Sequence, residues 1–152
     1  MNVKKILFPT DFSEGSDTAL PYAADMAKHY GAKLYLLHVI QDIAGATASY
    51  VPHVSLDELY RDMEKNAAKE IDRYGIEELR GIKDIERIVV KGRPYEEILK
   101  FARENKADLI VIGTHGRRGL DRVIFGSTAE KVVRDAPCPV LSVRLPHHEV
   151  KK

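Results

Sequence analysis

The chain has 152 residues, 44% of them hydrophobic, which predicts a single globular domain over residues 1–152 with a core of its own. Lysine and arginine number 24 and aspartate and glutamate 23, so the chain lacks the overall positive charge that drives nonspecific binding to nucleic acid. Its one cysteine, Cys138, excludes an internal disulfide framework, and we expect this thiol to be buried and inert. No long apolar run or leader-type segment opens the chain, so we expect a cytoplasmic location and no membrane partner.

Strand-like and helix-like patterns alternate from one end of the chain to the other. Short apolar, β-branched runs predict five strands, at residues 4–8, 34–40, 85–90, 109–112 and 140–143. Such alternation is typical of βαβ units, whose parallel strands are covered by helices on both faces. We therefore predict an α/β fold with a doubly wound, five-stranded parallel sheet.

The first helix has two candidate starting points. Ser13 or Ser16 would cap its N-terminus, and Gly31 would end it. Pro21 lies inside this helix and would remove one backbone hydrogen bond, unless the helix begins later in the chain.

Further along the chain, residues 41–54 form the longest stretch without periodicity. Loops of this length are often functional or mobile, and this one is long enough to cover a ligand. A capping box at 55–58 then begins the second helix, and Pro94 precedes a third helix over about residues 95–105.

A glycine pattern follows the fourth strand. Two residues separate Gly113 from Gly116, and nine more separate Gly116 from Gly126 and Ser127. Glycine lets a ligand approach the backbone closely, and the helix predicted to begin at Ser127 offers unpaired N–H groups and the positive end of a dipole. The pattern predicts a phosphate-binding loop, in which Arg117 and Arg118 would add charge-assisted hydrogen bonds.

The same glycine pattern has a structural interpretation. Gly113 could simply end the strand, and Ser127 with Glu130 forms a capping box that would serve any helix. The pattern is not the Walker motif, which needs Gly-Lys-Ser/Thr, nor the dinucleotide motif G-x-G-x-x-G. Spacing alone leaves both interpretations open.

The order of the strands decides which loop meets the glycine loop. In one common doubly wound order, 3-2-1-4-5, the chain direction reverses between strands one and four, and ligands bind beside that switch point. The loop Pro9-Thr10-Asp11 would then face the loop that begins at Gly113. There Asp11 could contact a ribose hydroxyl or a metal-bound phosphate, or it could only cap the first helix or its own turn.

Three segments carry a resemblance to a known family. They are Pro9-Thr10-Asp11-Phe12-Ser13, Leu37-His38-Val39, and Gly113-Thr114-His115-Gly116 leading to Gly126-Ser127-Thr128. Together they resemble the universal stress protein family over nearly the whole chain, with the version of the glycine motif associated with members that bind ATP. The resemblance implies a Rossmann-like, ATP-binding protein of the stress response.

The resemblance also implies roles for individual residues. Asp11 would contact the ribose or the metal-bound phosphates, so it is the expected metal contact of a magnesium-bound nucleotide, which would be ATP, ADP or AMP. The base and ribose side would be formed by Pro9, Thr10, Val39 and Ile112. The phosphates would be surrounded by Gly113, His115, Gly116 and Arg117 on one side and by Gly126, Ser127 and Thr128 on the other.

The predicted site holds phosphate but offers no clear base. His115 and Asp11 are the candidates for activating water, and the H-x-G-H and S-G-G-x-D-S signatures of nucleotide-transfer enzymes do not occur in the sequence. We therefore assign no catalytic residue and expect a regulatory role with turnover absent or slow. Two alternatives stay open: a slow ATPase, and a dimeric interaction module that binds no nucleotide.

The last strand predicts a homodimer. Val140, Leu141, Ser142 and Val143 would lie at an edge of the sheet, where unpaired backbone groups and apolar side chains favour pairing with another chain. The resemblance implies a dimer through the same strand, and the alternative is a monomer whose edge is guarded by Arg144 and the tail. The adjacent histidines at 147–148, without further ligands, are weak evidence for a metal site.

Overall fold

The fold is described by a computed structural model that covers residues 1–42, 55–115 and 126–146. Its strands are β1 (Lys5–Pro9), β2 (Lys33–Gln41), β3 (Ile85–Gly92), β4 (Leu109–Gly113) and β5 (Val140–Val143). Within these ranges the helices are α1 (Glu14–Tyr30), α2 (Leu56–Arg73), α3 (Pro94–Glu104) and α4 (Ser127–Asp135). The strands are parallel and form one sheet in the order β3-β2-β1-β4-β5. The predicted α/β fold and the predicted strand order are both confirmed.

Helices cover both faces of the sheet, also as predicted. Because alternate side chains of a strand point to opposite faces, Ile6 and Phe8 pack with residues of α1, whereas Leu7 packs with residues of α3 and α4. All three side chains are fully buried. Ile71 of α2 joins the same cluster as Ile6 and Phe8. The central strand β1 is therefore apolar on both sides, which is typical of parallel sheets.

The first helix begins at the earlier of its two candidate caps. Ser13 is the N-cap, and its Oγ accepts a hydrogen bond from the Ser16 N–H at 3.4 Å. Gly31 ends the helix in the left-handed region, at φ 62°, as predicted. The helix continues through Pro21, at the cost of one backbone hydrogen bond.

The second and third helices begin where the sequence places them. Ser55 caps α2, and its Oγ accepts a hydrogen bond from the Glu58 N–H at 3.1 Å. Pro94 is the first residue of α3. Four of the predicted strands have boundaries that differ by one or two residues from the observed ones. Gln41, which the sequence places in a loop, is the last residue of β2, because it still pairs with Gly92. Residues 43–54 of that predicted loop lie outside the described residues.

The structure also tests two expectations drawn from composition. Cys138 is only half-buried, so the expectation of a buried thiol is met in part. Burial, together with the negative charge of Asp108, raises the pKa of this thiol and so keeps it protonated at neutral pH. In the ranges that the structure describes, no helix has the length and apolar character needed to cross a membrane.

One carboxylate joins the start of β1 to the start of β4. Asp108 Oδ2 accepts hydrogen bonds from the backbone N–H groups of Lys4, at 2.9 Å, and Lys5, at 3.0 Å. The Lys5 carbonyl in turn accepts a hydrogen bond from the Asp108 N–H at 2.8 Å. Asp108 thus fixes how the two strands on either side of the switch point align.

We predict that Asp108→Ala lowers the free energy of unfolding by about 1–3 kcal/mol, because two backbone donors lose a charged acceptor. Urea denaturation followed by circular dichroism measures the change. Asp84→Ala is the matched control, since Asp84 precedes β3 as Asp108 precedes β4 but is exposed. Equal stability of the two variants would contradict the prediction.

Candidate functional site

A cleft opens at the carboxyl ends of the strands, beside the switch point between β1 and β4. Its volume is about 1040 Å³, which is large enough for a nucleotide. Its wall includes these predicted site residues: Pro9, Thr10, Asp11, Val39, Ile112, Gly113, His115, Gly126, Ser127 and Thr128. Two others, Gly116 and Arg117, lie outside the described residues, as do the tail histidines at 147–148. The structure therefore brings the loop after β1 and the two described ends of the glycine loop to one cleft.

Asp11 is held in place by its own turn. Its Oδ1 accepts hydrogen bonds from the Ser13 N–H at 3.0 Å and from the Ser16 hydroxyl at 2.9 Å. The Asp11 N–H donates to Ser16 Oγ at 3.3 Å. The turn-bonding role that the sequence left open for this residue is thus observed, and it fixes the carboxylate in the wall of the cleft.

Thr10 links the same turn to the sheet. Its N–H donates to the Leu37 carbonyl at 2.9 Å, and its Oγ1 accepts from the Phe12 N–H at 3.0 Å. The Thr10 carbonyl lies 2.8 Å from His38 Nδ1. Sequence reasoning assigned no role to His38 or Phe12, although a histidine inside the apolar run of β2 is a signal that could have identified the first of them.

The two ends of the glycine loop lie next to each other. The Thr114 N–H donates to the Val143 carbonyl at 2.9 Å, and the Thr114 carbonyl accepts a hydrogen bond from the Gly126 N–H. The Thr114 side chain is fully buried, and its Oγ1 lies 2.9 Å from Nδ1 of His115. The described residues on either side of the glycine loop are therefore in direct contact.

The capping-box interpretation of Ser127 and Glu130 is wrong. The N-cap of α4 is Gly126, which has no side chain to accept a capping hydrogen bond, so Ser127 is already inside the helix. A glycine cap brings no side-chain acceptor to the N–H groups of the first turn, which carry the positive end of the helix dipole. This end of α4 lines the cleft, where those groups suit an anion.

Gly113 has a packing role that the sequence did not reveal. A β-carbon at Gly113 would lie 2.7 Å from the carbonyl carbon of Gly15 and 3.2 Å from the Ser16 nitrogen. A β-carbon at Gly15 would in turn lie 2.8 Å from the carbonyl carbon of His115. The first turn of α1 and the end of β4 are thus in backbone contact. Gly113 does end β4, and it is also glycine because of this contact; phosphate binding by Gly113 stays a prediction.

Charged side chains of both signs line the cleft. Asp42 follows β2 and Glu70 lies on α2, whereas Arg93 is the N-cap of α3 and Lys131 lies on α4. The Lys131 ammonium lies 4.4 Å from the centre of the Tyr95 ring, a cation–π contact at the cleft. Sequence reasoning missed these charges because no local motif contains them.

The residues that the structure describes do not form a metal site by themselves. They contain no group of three or more histidine, cysteine, aspartate or glutamate side chains that could hold a metal ion. A single carboxylate such as Asp11 still fits a magnesium ion that arrives with a nucleotide, because Mg²⁺ is commonly held by one or two carboxylates plus phosphate oxygens.

We predict that Gly15→Ala lowers the free energy of unfolding by about 3 kcal/mol, because its β-carbon meets backbone atoms that cannot rotate away. Chemical denaturation measures the change. Glu14→Ala, an exposed substitution in the same helical turn, is the control and should cost less than about 1 kcal/mol. Similar stabilities of the two variants would contradict the prediction, because α1 and β4 would then accommodate the added methyl group without loss of stability.

Comparisons with known proteins agree with this architecture. The universal stress protein family profile matches residues 2–144. Universal stress protein MJ0531 of Methanocaldococcus jannaschii is 38% identical over 148 residues, which cover 96% of this chain and 85% of that protein. The solved structure of MJ0577, a universal stress protein of the same organism, is 30% identical with a TM-score of 0.83 and covers 97% of this chain and 99% of its own.

A third comparison concerns a universal stress protein solved in complex with cAMP. It is 25% identical to this chain with a TM-score of 0.61, and the match covers 96% of this chain and 100% of that one. The family profile and the relatives extend over almost the full sequence. The chain belongs to the universal stress protein family.

Proposed function

We propose that this protein is an ATP-binding regulator of the stress response that holds an adenine nucleotide between the loop after β1 and the glycine loop after β4. The observation that carries the proposal is the cleft at the switch point, which both loops line and into which α4 presents its N-terminus. Ligands of doubly wound sheets bind at this position. One relative of similar fold was solved with cAMP, which is an adenine nucleotide.

The charges of the cleft favour one orientation of the nucleotide. The phosphates would lie at the N-terminus of α4, against Gly126, Ser127 and Thr128, with Gly113, His115, Gly116 and Arg117 on their other side. Lys131, on α4, also lines the cleft and adds positive charge. Asp42, after β2, and Glu70, on α2, would lie nearer the base and suit the amino group of adenine, because a carboxylate accepts hydrogen bonds from such donors.

The remaining predicted contacts follow from that orientation. Val39 would offer backbone groups to the base, Pro9, Thr10 and Ile112 would line the base and ribose pocket, and Asp11 would reach the ribose or a phosphate-bound magnesium ion. Magnesium, when bound, would neutralise phosphate charge. Micromolar affinity corresponds to roughly 8 kcal/mol, and each charged hydrogen bond contributes on the order of 1.5–3 kcal/mol. A few such bonds at α4 would supply much of the affinity, before ordering costs.

A substitution at Ser127 tests nucleotide binding, because a negative charge there should weaken binding without destabilising the fold. Ser127→Glu should keep or slightly raise stability, because a carboxylate suits a helix N-terminus, yet it should weaken ATP binding at least tenfold by repelling the phosphates. Isothermal titration calorimetry with ATP, ADP and AMP, with and without Mg²⁺, measures the effect. Ser127→Thr is the conservative control.

Mass spectrometry of small molecules released from the denatured, purified protein identifies the resident nucleotide. Equal ATP affinity of Ser127→Glu and wild type would rule out phosphates at α4. Absence of both released and titrated nucleotide would favour the interaction module instead. Phosphate release that disappears in Asp11→Asn or in His115→Ala would favour the slow ATPase.

We also propose that two chains pair through β5, which forms one edge of the sheet. The carbonyls of Pro139 and Val143 accept hydrogen bonds from N–H groups of the β4 side. Because successive residues of a strand alternate in direction, the backbone groups of Val140 and Ser142 point away from β4. Those groups are the ones that a second chain would bind.

Ser142→Pro should convert the dimer to a monomer, because it removes an outward N–H and leaves the pairing with β4 intact. Ser142→Thr, which keeps the N–H, should remain dimeric. Light scattering at micromolar concentration measures the mass against the 17.1 kDa chain. A monomeric wild-type protein, or a dimeric proline variant, would contradict the prediction.

A further inference from the structure

The residue after Asp11 has an unfavourable backbone conformation. Phe12 lies in the left-handed region, with φ 61°, where side chains with a β-carbon are uncommon. Strain of this kind persists only where the surroundings impose it, and it is concentrated at functional sites. The contacts of Phe12 therefore identify the residues that impose this backbone conformation.

Two aromatic side chains hold Phe12. Its ring stacks on His38, with 4.4 Å between ring centres and 28° between planes, and it meets the Tyr74 ring edge-on at 5.4 Å. The Tyr74 hydroxyl donates to Asp17 Oδ1 at 2.9 Å, which ties this tyrosine to α1. Burial raises the pKa of the Tyr74 phenol, so it stays protonated and keeps donating.

His38 also holds the backbone on the other side of Asp11. Its Nδ1 lies 2.8 Å from the Thr10 carbonyl, an acceptor, so Nδ1 carries the hydrogen. That carbonyl belongs to the peptide that joins Thr10 to Asp11. Its orientation sets the direction in which the Asp11 side chain leaves the backbone.

Packing alone would not select histidine at this position. Leu34, Leu36 and Ile40 alternate with it along β2, on the same face of the sheet, and all three are buried. An aliphatic residue would continue that series. Histidine adds a hydrogen-bond donor, Nδ1, which is bonded to Cγ and lies within reach of the Thr10 carbonyl oxygen.

We infer that His38 is a positioning residue for nucleotide binding: it fixes the Thr10–Asp11 peptide through Nδ1 and supports Phe12 through its ring, so that Asp11 faces the cleft. The inference rests on the proposed function, because the ligand of Asp11 is the nucleotide. His38 acts through its neighbours and needs no contact with the ligand.

Three substitutions separate the hydrogen bond from packing. His38→Asn retains an amide donor at the position of Nδ1, His38→Gln moves it one bond further, and His38→Leu removes it. Gln and Leu are closer to histidine in size than Asn is. If His38 served packing alone, the Asn variant would therefore bind ATP most weakly of the three. A positioning role ranks the Asn variant best. ATP affinity, measured by calorimetry, should stay within about threefold of wild type in His38→Asn. It should fall roughly tenfold in His38→Gln and His38→Leu, which is the effect of one lost hydrogen bond.

Hydrogen exchange in the nucleotide-free protein gives a second readout. The Phe12 and Ser13 amides donate to Thr10 Oγ1 and Asp11 Oδ1, so both should exchange faster in His38→Leu and His38→Gln than in His38→Asn or wild type. Thermal unfolding identifies any variant that fails to fold.

The two readouts distinguish the two proposals. If wild-type protein binds no nucleotide, the proposed function fails, and the exchange rates still decide whether His38 fixes the turn. Wild-type affinity or wild-type exchange in a folded His38→Leu variant would overturn the inference. So would a folded His38→Asn variant that binds ATP as weakly as His38→Leu.

Discussion

The contact between the first turn of α1 and the end of β4 is the constraint on which the rest of the site depends. At Gly15 and Gly113 the two backbones approach more closely than a β-carbon at either position allows. The turn that carries Asp11 leads into α1, and the glycine loop leaves from β4, so this contact sets the distance between the two loops that line the cleft. A methyl group at Gly15 would shift one loop against the other without touching a ligand.

The fold could be predicted from the sequence because its signals are local and agree with one another. Apolar runs identify the strands, while Ser13, Gly31 and Ser55 mark helix ends through hydrogen bonds within a few residues. Alternation of strands and helices then restricts the topology to a few doubly wound orders. Gln41 was misplaced since only pairing with β3, which is distant in sequence, keeps it in a strand.

The parts of the site that sequence reasoning missed depend on contacts between distant residues. Gly15 is an unremarkable helical residue until β4 is placed against it, and His38 is an isolated polar residue until the Thr10 carbonyl is placed beside its ring. Ser127 and Glu130 have the spacing of a capping box, but that spacing does not distinguish a cap from a first helical residue. Backbone geometry at Gly126 makes that distinction.

The hydrogen bonds of Asp11 also bear on whether this residue could act as a base in nucleotide hydrolysis. A general base must accept a proton from water at the moment of attack. Asp11 Oδ1 already accepts from a backbone N–H and from the Ser16 hydroxyl, so this oxygen is engaged within the turn. A carboxylate held in this way is oriented to bind cations and hydroxyl donors. The bonds that make Asp11 a fixed part of the wall therefore support its proposed role in holding a nucleotide.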